Sequence, residues 1–286
     1  MGNNDIAKSV LKTLVYADIF DYPLTKEEIW RFLIGKKSAN KKQIEEALFR
    51  FDSKHGYFYL KKRDHIVEMR KTKEKESQKK LQIAKRISSL LSIIPSLYLI
   101  GVSGNLSMNN AGEKDDIDIF VISKRGTLWS TRLLIILFLG IMGKHRGKFD
   151  TNVEDKICIN MLIVETAIEI PSNRRNLYTA HEIIQMKPLF IRGDSYRRFM
   201  AANKWVDNFL PNVMPKIKNQ KSKIKNNKKE LIFIIEWVAK KLQFWYMKKN
   251  ITSEVVSDTI LAFHPMDYTS TILKKYHKRV KQYEKI

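Results

Sequence analysis

The chain has 286 residues, 44% hydrophobic and 29% charged, a composition that suits a globular protein with apolar cores and excludes a fibrous or low-complexity one. Its formal net charge of +23 favours association with polyanions, although net charge speaks to association and not to fold. The single cysteine, Cys158, excludes an internal disulfide and fits a reducing compartment.

The first residues are polar and do not resemble a signal peptide, and Ile6 stands where a myristoylation pattern wants Ser or Thr. The longest apolar run, 133–143, is short of the roughly 20 residues that span a bilayer and reads as a buried helix. The expected location is therefore the cytoplasm, with no membrane partner.

Val10, Leu11, Leu14 and Val15 form a helical stripe that ends near Asp21-Tyr22-Pro23. Thr25 with Glu28 three residues on predicts a capping box, opening a helix that carries Ile29, Phe32 and Leu33. Ile44, Ala47, Leu48 and Phe51 show the spacing of a third helix, closed by Gly56. Two short strands, 57–60 and 65–69, then follow, joined by the basic turn Lys61-Lys62-Arg63-Asp64. Three helices and a basic hairpin resemble a winged-helix domain, whose third helix often enters a DNA major groove. Here that helix offers Lys41, Lys42 and Arg50 but also Glu45 and Glu46, which a phosphate backbone repels. Weak, sequence-independent contact with nucleic acid is the most this predicts, and a packing or protein-contact role stays open.

A long helix is expected over 72–94, with Leu81, Ala84, Leu91 and Ile94 inward and Pro95 ending it. Strands are expected at 97–102, 117–122 and 157–164, with an apolar helix at 133–142 and a basic stretch at 144–148. From Pro171 onward the chain reads as helical, broken at Pro188, Pro211 and Pro215. Residues 216–229 hold seven lysines and almost no acid, the mark of a surface linker. The aromatic set Phe233, Trp237, Phe244, Trp245 and Tyr246 reads as core. The division that results is 1–71, 72–170 and 171–286, in an α/β (α+β) protein built on a small mixed sheet.

The chemistry concentrates in 101–122. A strand delivers the chain to Ser103-Gly104-Asn105, where Gly104 lets the backbone pass close to a ligand and a following helix start favours phosphate. Asp116 and Asp118 share one face of the next strand, with Cα atoms about 6.6 Å apart, and hard carboxylate oxygens beside a triphosphate suit magnesium. Asp115 is explained as a turn acid. Asp118 is not, because it lies between Ile117 and Ile119, where an uncompensated carboxylate is costly.

At these residues the chain resembles the nucleotidyltransferase superfamily that includes DNA polymerase beta and the aminoglycoside nucleotidyltransferases. Gly104 matches its glycine turn and Asp116-Ile117-Asp118 its paired acids, over about residues 98–165. The resemblance implies magnesium, bound by Asp116 and Asp118, and a nucleoside triphosphate, ATP among the candidates, cradled by Ser103, Gly104 and Asn105. It implies transfer of a nucleoside monophosphate to a hydroxyl. Asn105 stands where the family has serine. The third carboxylate has no clear match: Asn160, on the alternating face Cys158, Asn160, Leu162, Val164, is the candidate third metal ligand, and Glu154 or Asp155 just before the strand are substitutes. A wider resemblance to proteins with a winged helix in front and helices behind takes in 176–182 and 263–267, with no chemistry assigned. Two rivals remain: an inactive relative that binds nucleotide or a partner, and a winged-helix regulator that binds nucleic acid.

Overall fold

A computed structural model describes residues 3–147, 149–213, 230–248, 255–262 and 266–283. The lysine block 216–229 lies outside them, as do residues 263–265. The chain is a mixed α and β protein with ten α-helices and two sheets among the described residues.

The chain opens with α1 (Asn3–Asp18), β1 (Leu24–Thr25), α2 (Lys26–Arg31) and α3 (Lys41–Leu48), followed by β2 (Asp52–Lys54) and β3 (Tyr57–Tyr59). The capping box at Thr25 and Glu28 is formed, and Asn40 with Gln43 makes a second one at the start of α3. Strands β1, β3 and β2 make a small antiparallel sheet.

The hairpin sits earlier than the sequence suggests. His55 and Gly56 both have positive φ, 54° and 81°, the combination a two-residue hairpin turn needs, so Gly56 turns the hairpin and does not cap a helix. Residues 65–69 are not a strand but fall within or beside the first turn of α4 (Ile66–Leu91), a 26-residue helix. Ile66 and Val67 bury against Tyr59, and Arg70, almost fully buried, pairs with Glu28 at 2.8 Å and Glu74 at 2.7 Å. The basic segment 61–64 is thus a connection, in which Arg63 pairs with Asp18 at 2.7 Å and also with Asp21.

The larger sheet comprises β4 (Leu97–Val102), β5 (Ile117–Ser123), β6 (Ile157–Val164), β7 (Lys187–Ile191), β8 (Val255–Val256) and β9 (Ile260–Ala262), in the order β7-β4-β5-β6-β9-β8. It is mixed: β5 and β6 run parallel and the other pairs antiparallel. The region after 171 is therefore not helical throughout. Pro188 is tolerated in β7 because that strand is an edge.

The helices between and after these strands are α5 (Gly104–Ser107), α6 (Leu128–Ile141), α7 (Leu177–Gln185), α8 (Ser195–Ala202), α9 (Glu230–Lys248) and α10 (Met266–Tyr283). Leu99, Phe120, Ile122 and Ile163 join one core with α1, α2, α3, α7, α8 and α10. Ile100, Val121, Leu162 and Val164 join a second core with α4, α6 and α9. The N-terminal helices thus share a core with one face of the larger sheet, which brings α1 close to the site described below.

Two expectations of burial are corrected. In α6, Ile135 and Leu139 are buried but Leu134, Leu137 and Ile141 are exposed, so only one face of this apolar helix is covered. In α9 the docked residues are Ala239, Gln243 and Met247, while Phe233, Trp237, Phe244, Trp245 and Tyr246 face outward. Polar bonds fix that choice. Glu236 accepts from the Trp129 and Ser130 amides at 2.7 and 2.9 Å, capping α6, and the Gln243 amide donates to the Trp129 carbonyl at 2.7 Å. No helix is long and apolar enough to cross a membrane among the described residues.

Candidate functional site beside the paired aspartates

Strand β4 delivers Ser103-Gly104-Asn105 to the edge of the first core. The Ser103 amide donates to the Asp118 carbonyl at 3.0 Å, which latches this loop to β5. Gly104 has φ +58°, and a side-chain carbon there would stand 2.8 Å from Asp118 Oδ2. Glycine is needed both for its backbone and for the closeness of that carboxylate. A single helical turn, α5, follows, and the Ser107 hydroxyl donates to the Gly104 carbonyl at 2.7 Å. The Asn105 amide lies 3.4 Å from Asp115, which also accepts from the Gly112 amide at 2.9 Å, so Asp115 is a turn acid as expected.

Asp116 precedes β5 and Asp118 lies within it, paired in register with Cys158 of β6. The ligand atoms of Asp116, Asp118 and Cys158 lie within 4.8 Å of one another. Burial, and then the neighbouring Asp116, raise the Asp118 carboxyl to about 7. Its Oδ1 is buried with no hydrogen-bond partner. Burial, followed by the two aspartates, pushes the Cys158 thiol up to about 12, so it stays protonated. Arg146 pairs with Asp116. It is carried there because residues 144–146 run beside the start of β6, with the Ile157 amide donating to Lys144 at 2.7 Å and the Arg146 amide to Ile157 at 3.0 Å.

Asn160, the candidate third ligand, lies at the Ser103 end of the site. The register of β5 and β6 passes from Ile119–Ile159 to Phe120–Met161, which leaves Asn160 as the extra residue of a β-bulge. Its amide donates to the Ser103 hydroxyl at 3.1 Å. The bulge also breaks the simple alternation along β6, so Leu162 and Val164 face the second core while Ile163 faces the first. Asp155 is taken up by Lys80 at 2.8 Å, and Glu154 is exposed. Among the His, Cys, Asp and Glu side chains of the described residues, the one clustered with the two aspartates is Cys158.

A cavity of about 320 Å³ adjoins Gly104, Asn105 and Asp118. Its other walls come from α1, the segment after it, α7 and α10. Asn176 caps α7, accepting from the Thr179 amide at 3.0 Å, and the helix turns Tyr178, His181, Glu182 and Gln185, one helical face, toward the cavity. His181 stacks on Tyr16 at 4.1 Å, and burial holds it neutral by lowering its pKa to about 3. Glu182 is half-buried in the cavity wall, where burial raises its carboxyl to about 7 against the opposing hydrogen bond from Tyr178. Tyr22 fastens the N-terminal helices to the same corner, its hydroxyl lying 2.6 Å from the Met108 carbonyl and 2.9 Å from Glu28.

The structure therefore brings Ser103, Gly104, Asn105, Asp116 and Asp118 together as the sequence suggests. It adds Arg146, Cys158 and the face of α7. Their traces in the sequence were the basic stretch 144–148, the place of Cys158 on one face of its strand with Asn160, and the segment 176–182. No family model, curated protein or solved structure matches the chain.

Proposed function

We propose that the chain is a magnesium-dependent nucleotidyltransferase that moves a nucleoside monophosphate from a triphosphate to a hydroxyl acceptor. The observation that carries this reading is Asp118: a strand carboxylate with an unpartnered buried oxygen, beside Asp116 and against a glycine that leaves it room. A buried acid so placed, with no cation of its own, is a candidate for metal binding.

Asp116 and Asp118 would hold the ion, and Ser103–Asn105 would cradle the phosphates through the Ser103 hydroxyl and the Gly104 and Asn105 amides, the Ser103 amide being engaged by the Asp118 carbonyl. The neutral Cys158 thiol suits a hard cation poorly, so the oxygens are the expected ligands. Bound magnesium supplies neutralisation of triphosphate charge. The transfer forms a bond from the acceptor oxygen to the α-phosphorus and breaks the bond to the bridging oxygen, releasing pyrophosphate and a proton. The order α1, β1, α2, α3, β2, β3 supports a winged-helix-like N-terminal unit, used for packing on the site's side of the sheet.

A second reading has its own support. Arg146 already pairs with Asp116, and the side chain clustered with the two aspartates is the Cys158 thiol and not a third acid. Both favour a relative that binds nucleotide without transferring it.

The test is to incubate the purified chain with each labelled triphosphate and magnesium, following melting temperature, pyrophosphate and labelled acceptor. A nucleotide-dependent melting shift lost in Asp118→Asn, with pyrophosphate release, supports transfer. The same shift without pyrophosphate supports binding alone. An unchanged shift in Asp118→Asn overturns both.

A further inference from the structure

We propose that the cavity between α1 and α7 is a pocket for a small organic cation, an amine on a flat apolar body, whose ammonium group is received by Glu182. The inference goes beyond nucleotide transfer, and it needs that reading only to call the occupant an acceptor.

The lining is the first argument. Aromatic rings come from separate parts of the chain: Tyr16 from α1, Phe20 and Tyr22 from the segment after it, Tyr178 from α7 and Tyr268 from α10, with Phe32 at the end of α2. Tyr16 and Phe20 pack at 5.5 Å, and Tyr178 and Tyr268 meet edge-on at 5.9 Å, which fixes their faces as walls. Such rings accept a flat apolar group and attract a cation through their electron-rich faces. At about 320 Å³ the cavity lies at the small end of ligand pockets.

Charge is the second argument, and it selects the ligand class. The chain carries 53 Lys and Arg against 30 Asp and Glu, yet among the described residues no Lys or Arg lines this cavity. Its charged groups are Asp118 and Glu182. His181, the one other lining side chain able to carry charge, is held neutral by burial. Among the described residues no ion pair reaches Glu182, whose partner is the Tyr178 hydroxyl. A carboxylate withdrawn from water without a cation is costly. Without a metal ion an anionic ligand would be repelled, and a neutral one would leave that cost in place. An ammonium group removes it.

Unpartnered atoms are the third argument. Asn110 Oδ1 and Asp118 Oδ1 are both buried acceptors without donors, and both residues line the cavity. An ammonium group is a donor only, so it matches these two acceptors; the other buried unpartnered atom on the wall, His181 Nε2, belongs to a neutral ring whose Nδ1 faces the Gln185 amide.

The experiment uses the full chain without magnesium or nucleotide. Two probes of equal shape are titrated by calorimetry and thermal melting: 2-phenylethylamine and its neutral counterpart 2-phenylethanol. The expected result is tighter binding of the amine by about tenfold or more, falling to the level of the alcohol in Glu182→Gln. Equal affinity for the two probes in the wild type, or no binding of the amine at millimolar concentration, overturns the proposal without recourse to a variant. A folded Glu182→Gln that keeps its amine preference overturns it as well. Asp116→Asn separates the two readings, because it should lose the magnesium–nucleotide melting shift and keep the amine titration. A wild type that responds to nucleotide but ignores the amine sinks this proposal alone.

Discussion

Asp118 and Glu182 are two carboxyl groups that line one cavity and share one electrostatic consequence. Burial raises each to about 7, from ordinary values of 3.8 and 4.5, and each raises or is raised by its acidic surroundings. Between about pH 4 and 7 the folded chain holds protons at these sites that the unfolded chain has released. The stability they contribute is therefore fully present below the ordinary values and is lost as pH rises through 7. At pH 8 both sites carry charge in an unfavourable place. Asp118→Asn and Glu182→Gln should each flatten the fall in stability between pH 5 and 8. Each should be more stable than wild type at pH 8, by on the order of 1–2 kcal/mol. Denaturant unfolding at the two pH values checks this, and a variant whose profile stays parallel to wild type would show that its carboxyl titrates normally. Asp118 was legible in the sequence because it interrupts an apolar strand. Glu182 was not, since its place depends on α10 packing beside α7 and on Tyr16 of α1 stacking on His181, contacts between distant parts of the chain.

At the scale of elements, strands were legible where apolar runs were short and flanked by turn residues, as β4, β5 and β6 are. The bulge at Asn160 was invisible, because it is a property of pairing between two strands and not of either one. Simple alternation along β6 then gave the wrong faces beyond it. Segment 65–69, rich in β-branched and apolar residues, looked like a strand. The helix wins there because Arg70 is held by Glu28, Glu74 and the Pro23 carbonyl, and its guanidinium lies 3.8 Å from the centre of the Tyr22 ring. Helix α9 is the clearest case of composition misleading. Its aromatic residues suggest a core, yet the docked stripe runs through Glu236, Ala239, Gln243 and Met247 and contains no aromatic residue. The two kinds of tryptophan can be told apart in solution. Trp129 is 1% exposed and Trp245 is 77% exposed. Single-tryptophan variants should show acrylamide quenching several-fold stronger for Trp245, with emission at longer wavelength. Equal quenching of the two would mean that the outward face of α9 is covered.

For the whole molecule, the net charge of +23 acts through a surface whose cations are partly committed. In the unit most like a DNA-binding module, Lys41 pairs with Glu27 at 2.7 Å and Lys26 with Glu45 at 2.9 Å. Arg63 is held by Asp18 and Asp21, so the segment expected to form a basic wing tip is instead tied to α1 and the residues after it. What remains is diffuse charge, which attracts phosphate without reading sequence. The chain should therefore bind duplexes of unrelated sequence equally and should lose that binding with salt. For six or more phosphate contacts, counterion release lowers affinity by about 1,000-fold or more between 50 and 200 mM salt. Fluorescence anisotropy with two unrelated labelled duplexes, repeated across that salt range, measures both properties at once. A salt-tolerant preference for one sequence would show that the third helix reads bases despite its acids, and it would move the regulatory reading ahead of the enzymatic one.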